Sequence, residues 1–207
     1  MSERERLAAW LRRRGIFDER VLAAMAAVPR ELFVPEIERR RAYADRALPI
    51  GHGQTISQPF MVATICALLG LKGEERVLDV GTGSGYQAAV LAELAAEVVT
   101  VERVPELAEQ ARRTLAAAGY ERVEVRVGDG TLGVPDRAPF QGIAVAAAAP
   151  AVPPALYDQL DEGGRLVVPV GSRRDQRLQL IVRGPEGPDV AASVPCRFVP
   201  LLGAQGF

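Results

Sequence analysis

The sequence predicts an α/β fold with a doubly wound, mostly parallel sheet, a C-terminal antiparallel hairpin and an N-terminal helical elaboration. Three observations support this prediction. The apolar residues Val77, Leu78 and Val80 lead without a break into a glycine-rich turn, which is typical of a buried parallel strand followed by a helix. Strand-like and helix-like segments then alternate along the chain. Residues 176–182 and 190–199 flank a Gly/Pro-rich turn, which predicts a hairpin.

The length of 207 residues fits one domain over residues 1–207. Within it we expect a helical leader over residues 1–50 and a polar loop over residues 51–60. The sheet and its helices are expected over residues 61–207. No internal repeat or low-complexity linker divides the chain.

Each element has a local signal. Asp18 can cap the second helix and Pro29 ends it, Pro59 suits a first helical turn, and Gly119 ends the helix before the third strand. The predicted helices span residues 3–14, 19–27, 36–43, 59–69, 87–94, 104–118 and 153–160. The predicted strands span residues 77–80, 98–102, 123–127, 140–147, 165–170, 176–182 and 190–199.

Composition excludes several classes of function. The formal net charge of -1 gives no electrostatic attraction to nucleic acid. No apolar stretch approaches the ~20 residues of a membrane helix, and residues 1–15 are too charged for a signal peptide. Cys66, Cys196 and the single His52 predict neither a disulfide framework nor a metal site. We therefore expect a cytoplasmic monomer without membrane or nucleic-acid partners.

The glycine-rich turn predicts a nucleoside ligand. Gly81, Gly83 and Gly85 are spaced G-x-G-x-G, whereas the dinucleotide fingerprint needs its third glycine where this chain has Tyr86. A nicotinamide oxidoreductase is therefore disfavoured. Glu102 ends the next strand, about 20 residues after the first glycine, where an acidic residue can bind ribose hydroxyls. The alternative is an ordinary strand-turn-helix without a ligand.

The polar loop before the predicted helix at residues 59–69 has two interpretations. Thr55 and Gln58 have the spacing of a capping box, and Ser57 could itself be an N-cap. The same side chains could instead contact a substrate or cofactor. Both are compatible, because a helix N-terminus presents free N–H groups to an anion.

Asp129 lies between two glycines directly after a predicted strand. This is the crevice position of a parallel sheet, where Asp129 could accept a hydrogen bond from an adenine amino group. A turn aspartate that binds its own backbone is the alternative.

With these segments placed, the chain resembles the protein-L-isoaspartate O-methyltransferase family along essentially its whole length. The matching segments are residues 28–35 (VPRELFVP), 51–59 (GHGQTISQP), 78–86 (LDVGTGSGY), 128–130 (GDG) and 198–201 (FVPL). The glycine motif is shared by many methyltransferases, whereas the first two segments are particular to this family. The resemblance implies a Rossmann-like methyltransferase sheet.

The resemblance also implies a reaction and its residues. The family transfers the methyl group of S-adenosylmethionine to the free carboxylate of L-isoaspartyl residues in damaged proteins and peptides, leaving S-adenosylhomocysteine and using no metal. Ser57 matches the active-site serine. The implied substrate loop is Gln54, Thr55, Ile56 and Ser57. The implied cofactor residues are Gly81, Thr82, Gly83, Ser84, Gly85, Glu102, Asp129, Gly130 and Gln205.

Such a reaction makes modest demands on the protein. A carboxylate with a pKa of about 4 is already ionised at neutral pH, so its attack needs no general base. We expect the Ser57 hydroxyl and backbone N–H groups at the start of the helix at residue 59 to align it with the methyl group.

Two departures from the family pattern stand beside the fourth strand of the sheet. Gln141 replaces an expected aspartate and Ala146 an often-found threonine, and we expect both to alter hydrogen bonding beside the cofactor pocket. Two alternatives stay open: a methyltransferase of another substrate class, such as RNA or a small molecule, and a non-catalytic cofactor-binding paralogue.

Overall fold

The computed structural model describes residues 1–172 and 174–207. Its helices are α1 (Glu3–Arg13), α2 (Glu19–Ala27), α3 (Pro59–Leu69), α4 (Tyr86–Ala92), α5 (Pro105–Ala117) and α6 (Pro154–Asp158). Its strands are β1 (Leu48–Gly51), β2 (Gln54–Ile56), β3 (Arg76–Val80), β4 (Glu97–Glu102), β5 (Glu124–Val127), β6 (Phe140–Val145), β7 (Leu160–Gly171), β8 (Gln176–Gly184) and β9 (Gly187–Cys196). Short 3₁₀ turns lie at Arg30–Phe33, Glu36–Arg41, Gly130–Leu132 and Pro135–Arg137.

Seven strands form one sheet in the order β5-β4-β3-β6-β7-β8-β9. The pairs from β5 to β7 are parallel, and β8 and β9 add an antiparallel hairpin. The chain moves outward from β3 in one direction and from β6 in the other, so the strand order reverses between them. Ligands of such sheets bind outside the carboxyl ends at this point. The predicted doubly wound sheet with its C-terminal hairpin is confirmed.

The helical leader is a layer of the core rather than an appendage. Leu11, Met25 and Phe33 belong to the same buried cluster as Val90 and Leu91 of α4. Burial of these side chains stabilises the leader against the rest of the core, because apolar burial contributes roughly 1.5 to 3 kcal/mol per large side chain. The leader therefore sits where it can position neighbouring segments.

The boundary between leader and loop differs from the prediction. Residues 48–56, expected to end a helical leader and begin a loop, form the antiparallel pair β1–β2. Its two-residue turn has φ of 52° at His52 and 70° at Gly53, and positive φ at both positions suits the twist of a hairpin. The strands have only four and three residues, and they escaped detection because so short a run shows no clear alternation.

The start of α3 corrects the predicted capping roles of Thr55 and Ser57. Gln58 is the N-cap residue, and its side chain makes no capping bond. The acceptor comes instead from Asp45, whose carboxylate receives the Phe60 N–H at 2.9 Å and the Gln58 side-chain amide at 2.6 Å. A residue distant in sequence thus replaces the local cap, and its negative charge also suits the helix N-terminus.

Substitution Asp45→Ala should lower the free energy of unfolding by about 1 kcal/mol, because an N-terminal backbone donor of α3 loses its acceptor. Urea unfolding measures this change. The control Glu36→Ala removes an exposed carboxylate that pairs with Arg39 across 2.7 Å, and should cost less than about 0.5 kcal/mol. Equal effects of the two variants would contradict the capping role.

Candidate functional site

A cavity opens at the carboxyl ends of the parallel strands. It brings together the loop after β2, the turn after β3, the end of β4 and the segment after β9. The residues that line it are Gln54, Thr55, Ile56, Ser57, Val62, Val80, Gly81, Thr82, Gly83, Ser84, Tyr86, Gln87, Val101, Glu102, Arg103, Val104, Gly130, Ala146, Ala147, Val199, Pro200, Leu201 and Leu202. All four residues of the predicted substrate loop are among them. Of the predicted cofactor residues, Gly85, Asp129 and Gln205 are not.

The three glycines of the turn after β3 serve different purposes. Gly81 and Gly83 line the cavity with φ of 93° and 51°, where L residues with side chains are strained. Gly85 has φ of 88°, and a Cβ there would lie 3.1 Å from Cγ of Leu115. Gly85 therefore lets α5 pack against the start of α4, and only the first two glycines offer backbone to a ligand.

Glu102 joins the ends of β3 and β4. Its carboxylate accepts the N–H of Gly83 at 2.8 Å and the N–H of Val104 at 3.0 Å, and its side chain is buried within the cavity wall. Charged acceptors make hydrogen bonds about twice as strong as neutral ones. The same carboxylate that could bind ribose thus also holds the glycine turn in place.

A buried polar network lies beneath this turn. Asp79 is 0% exposed and accepts hydrogen bonds from Gln87 Nε2 and Thr100 Oγ1, each at 2.8 Å. The Thr100 hydroxyl lies 2.6 Å from that of Thr82, which lines the cavity. Burial raises the pKa of Asp79 to about 6, against the effect of these two hydrogen bonds. The network connects the carboxyl end of β3 to the glycine turn that follows it.

Asp129 is engaged by the C-terminal tail. Oδ1 accepts the N–H and hydroxyl of Thr131 at 2.9 and 2.7 Å, and Oδ2 accepts the N–H of Ala204 at 2.7 Å. Burial opposes ionisation here, but the Ala204 and Thr131 donors outweigh it and lower the pKa of Asp129. Gln205 caps α6, since its Oε1 accepts the Ala155 N–H at 3.0 Å. Both side chains fasten the tail next to the cavity.

The loop after β2 faces the glycine turn, but the helix that follows offers no free donors there. Pro59 has no N–H, Phe60 donates to Asp45, and Met61 and Val62 donate to the Gln58 carbonyl at 3.0 and 3.2 Å. The expectation that α3 amides hold a substrate carboxylate is therefore wrong. The polar side chains that line this side of the cavity are those of Gln54, Thr55 and Ser57.

The two departures from the family pattern lie at opposite ends of β6. Gln141 sits at the amino end, where its Oε1 accepts the Arg76 N–H and its Nε2 donates to Asp161, both at 2.8 Å. The expectation that Gln141 alters bonding beside the cofactor pocket is wrong, because β6 runs from that edge to the other. Ala146 lines the cavity as expected.

Several cavity residues were not predicted from the sequence. Arg103 and Val104 follow directly after Glu102 at the carboxyl edge, a position that could have suggested them. Gln87 lies in the first turn of α4, and only the folded structure shows that it reaches Asp79. Leu202 lines the cavity because the C-terminal tail folds back against it.

The lining fits a nucleoside cofactor. Gly130 lines the cavity, and it is a glycine for packing, since a Cβ there would lie 2.7 Å from Val80 Cγ1. Gln87 is 6% exposed, and its Oε1 has no hydrogen-bond partner among the described residues. A buried acceptor of this kind needs a donor, and an ammonium or hydroxyl group of a ligand would provide one. Over residues 1–172 and 174–207, no group of three or more His, Cys, Asp or Glu side chains could hold a metal ion.

Comparison with known proteins identifies the family. The family model described as protein-L-isoaspartate(D-aspartate) O-methyltransferase matches residues 2–206. The chain belongs to this family. The predicted family is thereby confirmed, together with its Rossmann-like methyltransferase fold.

Individual family members agree with this result. A protein-L-isoaspartate O-methyltransferase 2 from Marinobacter nauticus is 59% identical over 196 residues, covering 94% of this chain and 90% of the relative. A solved protein-L-isoaspartate O-methyltransferase superposes with a TM-score of 0.90 at 32% identity, covering 98% of this chain and 67% of that one. A family structure from Plasmodium falciparum, described as a complex with S-adenosyl-L-homocysteine, has a TM-score of 0.79 at 27% identity and covers 98% and 99%.

Substitution Asp79→Asn should change how stability depends on pH. The pKa of about 6 in the folded protein exceeds the ordinary 3.8, so the folded state holds this proton more tightly than the unfolded chain does. The resulting stability is fully present below pH ~4 and is lost as pH rises through 6, amounting to about 3 kcal/mol.

Urea unfolding of parent and variant between pH 4 and 7 measures this effect. The parent should lose stability relative to Asp79→Asn as pH rises. An exposed control, Asp136→Asn, retains Asp79 and should lose stability in parallel with the parent. A parent-minus-variant difference that stays constant over the range would contradict a buried, proton-binding Asp79.

Proposed function

We propose that this chain transfers the methyl group of S-adenosylmethionine to the free carboxylate of L-isoaspartyl residues in damaged proteins and peptides, with Ser57 contacting that carboxylate. The observation that carries the proposal is the shared cavity: the loop of Ser57 and the turn of Gly81 and Gly83 line one space. Acceptor and donor of a methyl group must meet in such a space. The family match over residues 2–206 supports the same reaction.

The residues of the cavity have separate tasks in this proposal. Gly81 to Ser84 and Glu102 bind the cofactor, and Gln87 accepts a hydrogen bond from its polar end. The bound cofactor supplies an electrophilic methyl group on a sulfonium. Ser57 orients the carboxylate oxygen, and its neutral hydroxyl does so without quenching the nucleophile's charge. Alignment at near-attack distance can lower the barrier by several kcal/mol.

Asp129 and Gln205 have a different place in this proposal from the one the sequence suggested. Their side chains hold the tail that brings Leu201 and Leu202 to the cavity. We assign them to positioning of the tail and keep Gly130 as the residue that faces the cofactor.

The proposal extends to partners and location. Isoaspartyl proteins are the substrates, and the enzyme acts as a cytoplasmic monomer of one domain, independent of nucleic acid and membranes. The net charge of -1 supports independence of nucleic acid. In the described part of the chain, no helix has both the length and the apolar character of a bilayer-crossing segment.

Two versions of one peptide, carrying isoaspartyl or aspartyl at the same position, test the function. Methyl transfer from labelled S-adenosylmethionine to the isoaspartyl peptide alone is the expected result. Transfer to RNA or a small molecule but not to this peptide would indicate another substrate class. Cofactor binding without turnover would indicate a non-catalytic module.

Substitution Ser57→Ala should lower kcat for the isoaspartyl peptide by on the order of tenfold, because the carboxylate loses its orienting hydroxyl. Affinity for S-adenosylmethionine, measured by calorimetry, should stay within about twofold. Ser193→Ala, on a distant strand where the hydroxyl accepts a hydrogen bond from Arg177, is the control. Parental kcat in Ser57→Ala at saturating peptide would remove Ser57 from the mechanism.

Substitution Glu102→Ala should weaken S-adenosylmethionine binding by roughly ten- to a hundredfold, since it removes an ionised acceptor for the ribose and for Gly83 N–H. Calorimetric titration provides the dissociation constant. Glu106→Ala, an exposed glutamate in the first turn of α5, should bind the cofactor as the parent does. Unchanged affinity in Glu102→Ala would overturn its assignment.

A further inference from the structure

Arg30 is a fully buried arginine in the leader, 0% exposed. Its Nε donates to the carbonyl of Ala42 at 2.7 Å, and its Nη2 donates to the carbonyl of Ser57 at 2.8 Å. The bond to Ser57 fixes the peptide unit that follows the proposed substrate-binding hydroxyl. The leader therefore reaches the reacting side of the cavity through one side chain.

The same guanidinium also contacts the cofactor side of the cavity. It lies over the ring of Tyr86, 4.5 Å from the ring centroid, in the geometry of a cation–π interaction. Tyr86 is the first residue of α4, directly after the glycine turn. Its ring is further fixed by an edge contact with Phe33 at 5.7 Å and by its hydroxyl, which donates to Met25 Sδ at 3.7 Å. One side chain thus joins the loop of Ser57 to the start of α4.

A contribution to stability does not account for this arrangement. Burial lowers the pKa of the Arg30 guanidinium, which reflects the cost of removing a cation from water. Its Nη1 has no hydrogen-bond partner among the described residues, and an unpaired buried donor costs additional free energy. Buried charges of this kind often contribute less to stability than apolar side chains of similar volume. The burial of Arg30 is better explained by its contacts with two segments, the loop of Ser57 and the start of α4, whose relative position it fixes.

We propose that Arg30 is a positioning residue for methyl transfer, which sets the loop of Ser57 at a fixed separation from the cofactor turn. The inference rests on the proposed function of Ser57. A displacement of one reacting segment by about 1 Å can lower a rate a hundredfold. Arg30 acts on the rate through this separation and touches neither substrate.

The test compares Arg30→Met and Arg30→Lys with a matched control, Arg20→Met. Arg20 also joins the leader to backbone carbonyls of the core, those of Lys72 and, at 3.3 Å, Leu94, but away from the cavity. For each variant, kcat and KM for an isoaspartyl peptide are measured at saturating S-adenosylmethionine, below the onset of unfolding. Cofactor affinity is measured by calorimetry.

Arg30→Met should lower kcat by on the order of 10- to 100-fold, with S-adenosylmethionine affinity within about twofold of the parent. Arg30→Lys keeps the charge over Tyr86 but replaces the planar guanidinium, with its several donors, by a single ammonium. Its kcat should therefore lie between that of Arg30→Met and that of the parent. Arg20→Met should keep kcat within about twofold of the parent.

Equal losses of kcat in Arg30→Met and Arg20→Met would overturn the proposal, as would a loss of cofactor affinity as large as the loss of kcat. Either result would indicate that Arg30 stabilises the fold without a specific effect on methyl transfer. If Arg30→Met does not fold, Arg30→Lys decides on the same criteria. Turnover by the parent reports separately on the proposed function, because the inference about Arg30 uses only ratios to the parent.

Discussion

The pairing of β3 on both sides is the constraint on which the site depends. Val77 to Val80 are in register with β4 on one side and β6 on the other, so the end of β3 cannot shift without breaking two ladders. The glycine turn, Glu102 at the end of β4 and Ala146 after β6 therefore meet at one fixed edge. A ligand that binds there finds its contacts already arranged, which reduces the entropy lost on binding.

Beneath that edge, hydrogen bonds between polar side chains connect the sheet to the glycine turn. Asp79, Thr100 and Thr82 form a chain of hydrogen bonds from the buried strand to the cavity surface. Networks of this kind are favourable only when their members are satisfied, and the side-chain carbonyl oxygen of Gln87 has no donor among the residues that the structure describes. On the opposite wall, the loop of Ser57 is held by hydrogen bonds from Arg30 and to Asp45, neither of which belongs to that loop. Each wall is thus held in part by groups that do not line the cavity: Asp79 and Thr100 on one side, Asp45 and Arg30 on the other.

Sequence reasoning succeeded where the signal was local. The glycine turn after an apolar run and the acidic residue at the end of the next strand were both expected at a binding site, and both line the cavity. It failed where partners are distant: Asp45 rather than Ser57 supplies the acceptor at the start of α3, and Asp129 binds the tail, 75 residues away. The error at Gln141 arose because nearness to a motif was read as nearness to the site, although a strand carries its two ends to opposite edges. The hairpin β1–β2 was too short to show a period.

The tail has a practical consequence for protein engineering. Ala204 and Gln205 tie the last residues to two separate elements, and Leu201 and Leu202 form part of the cavity wall. A purification tag or fluorescent fusion attached after Phe207 would therefore lie next to residues that form this wall. The opposite terminus suits such attachments better, because Met1 is 80% exposed and belongs to no part of the cavity.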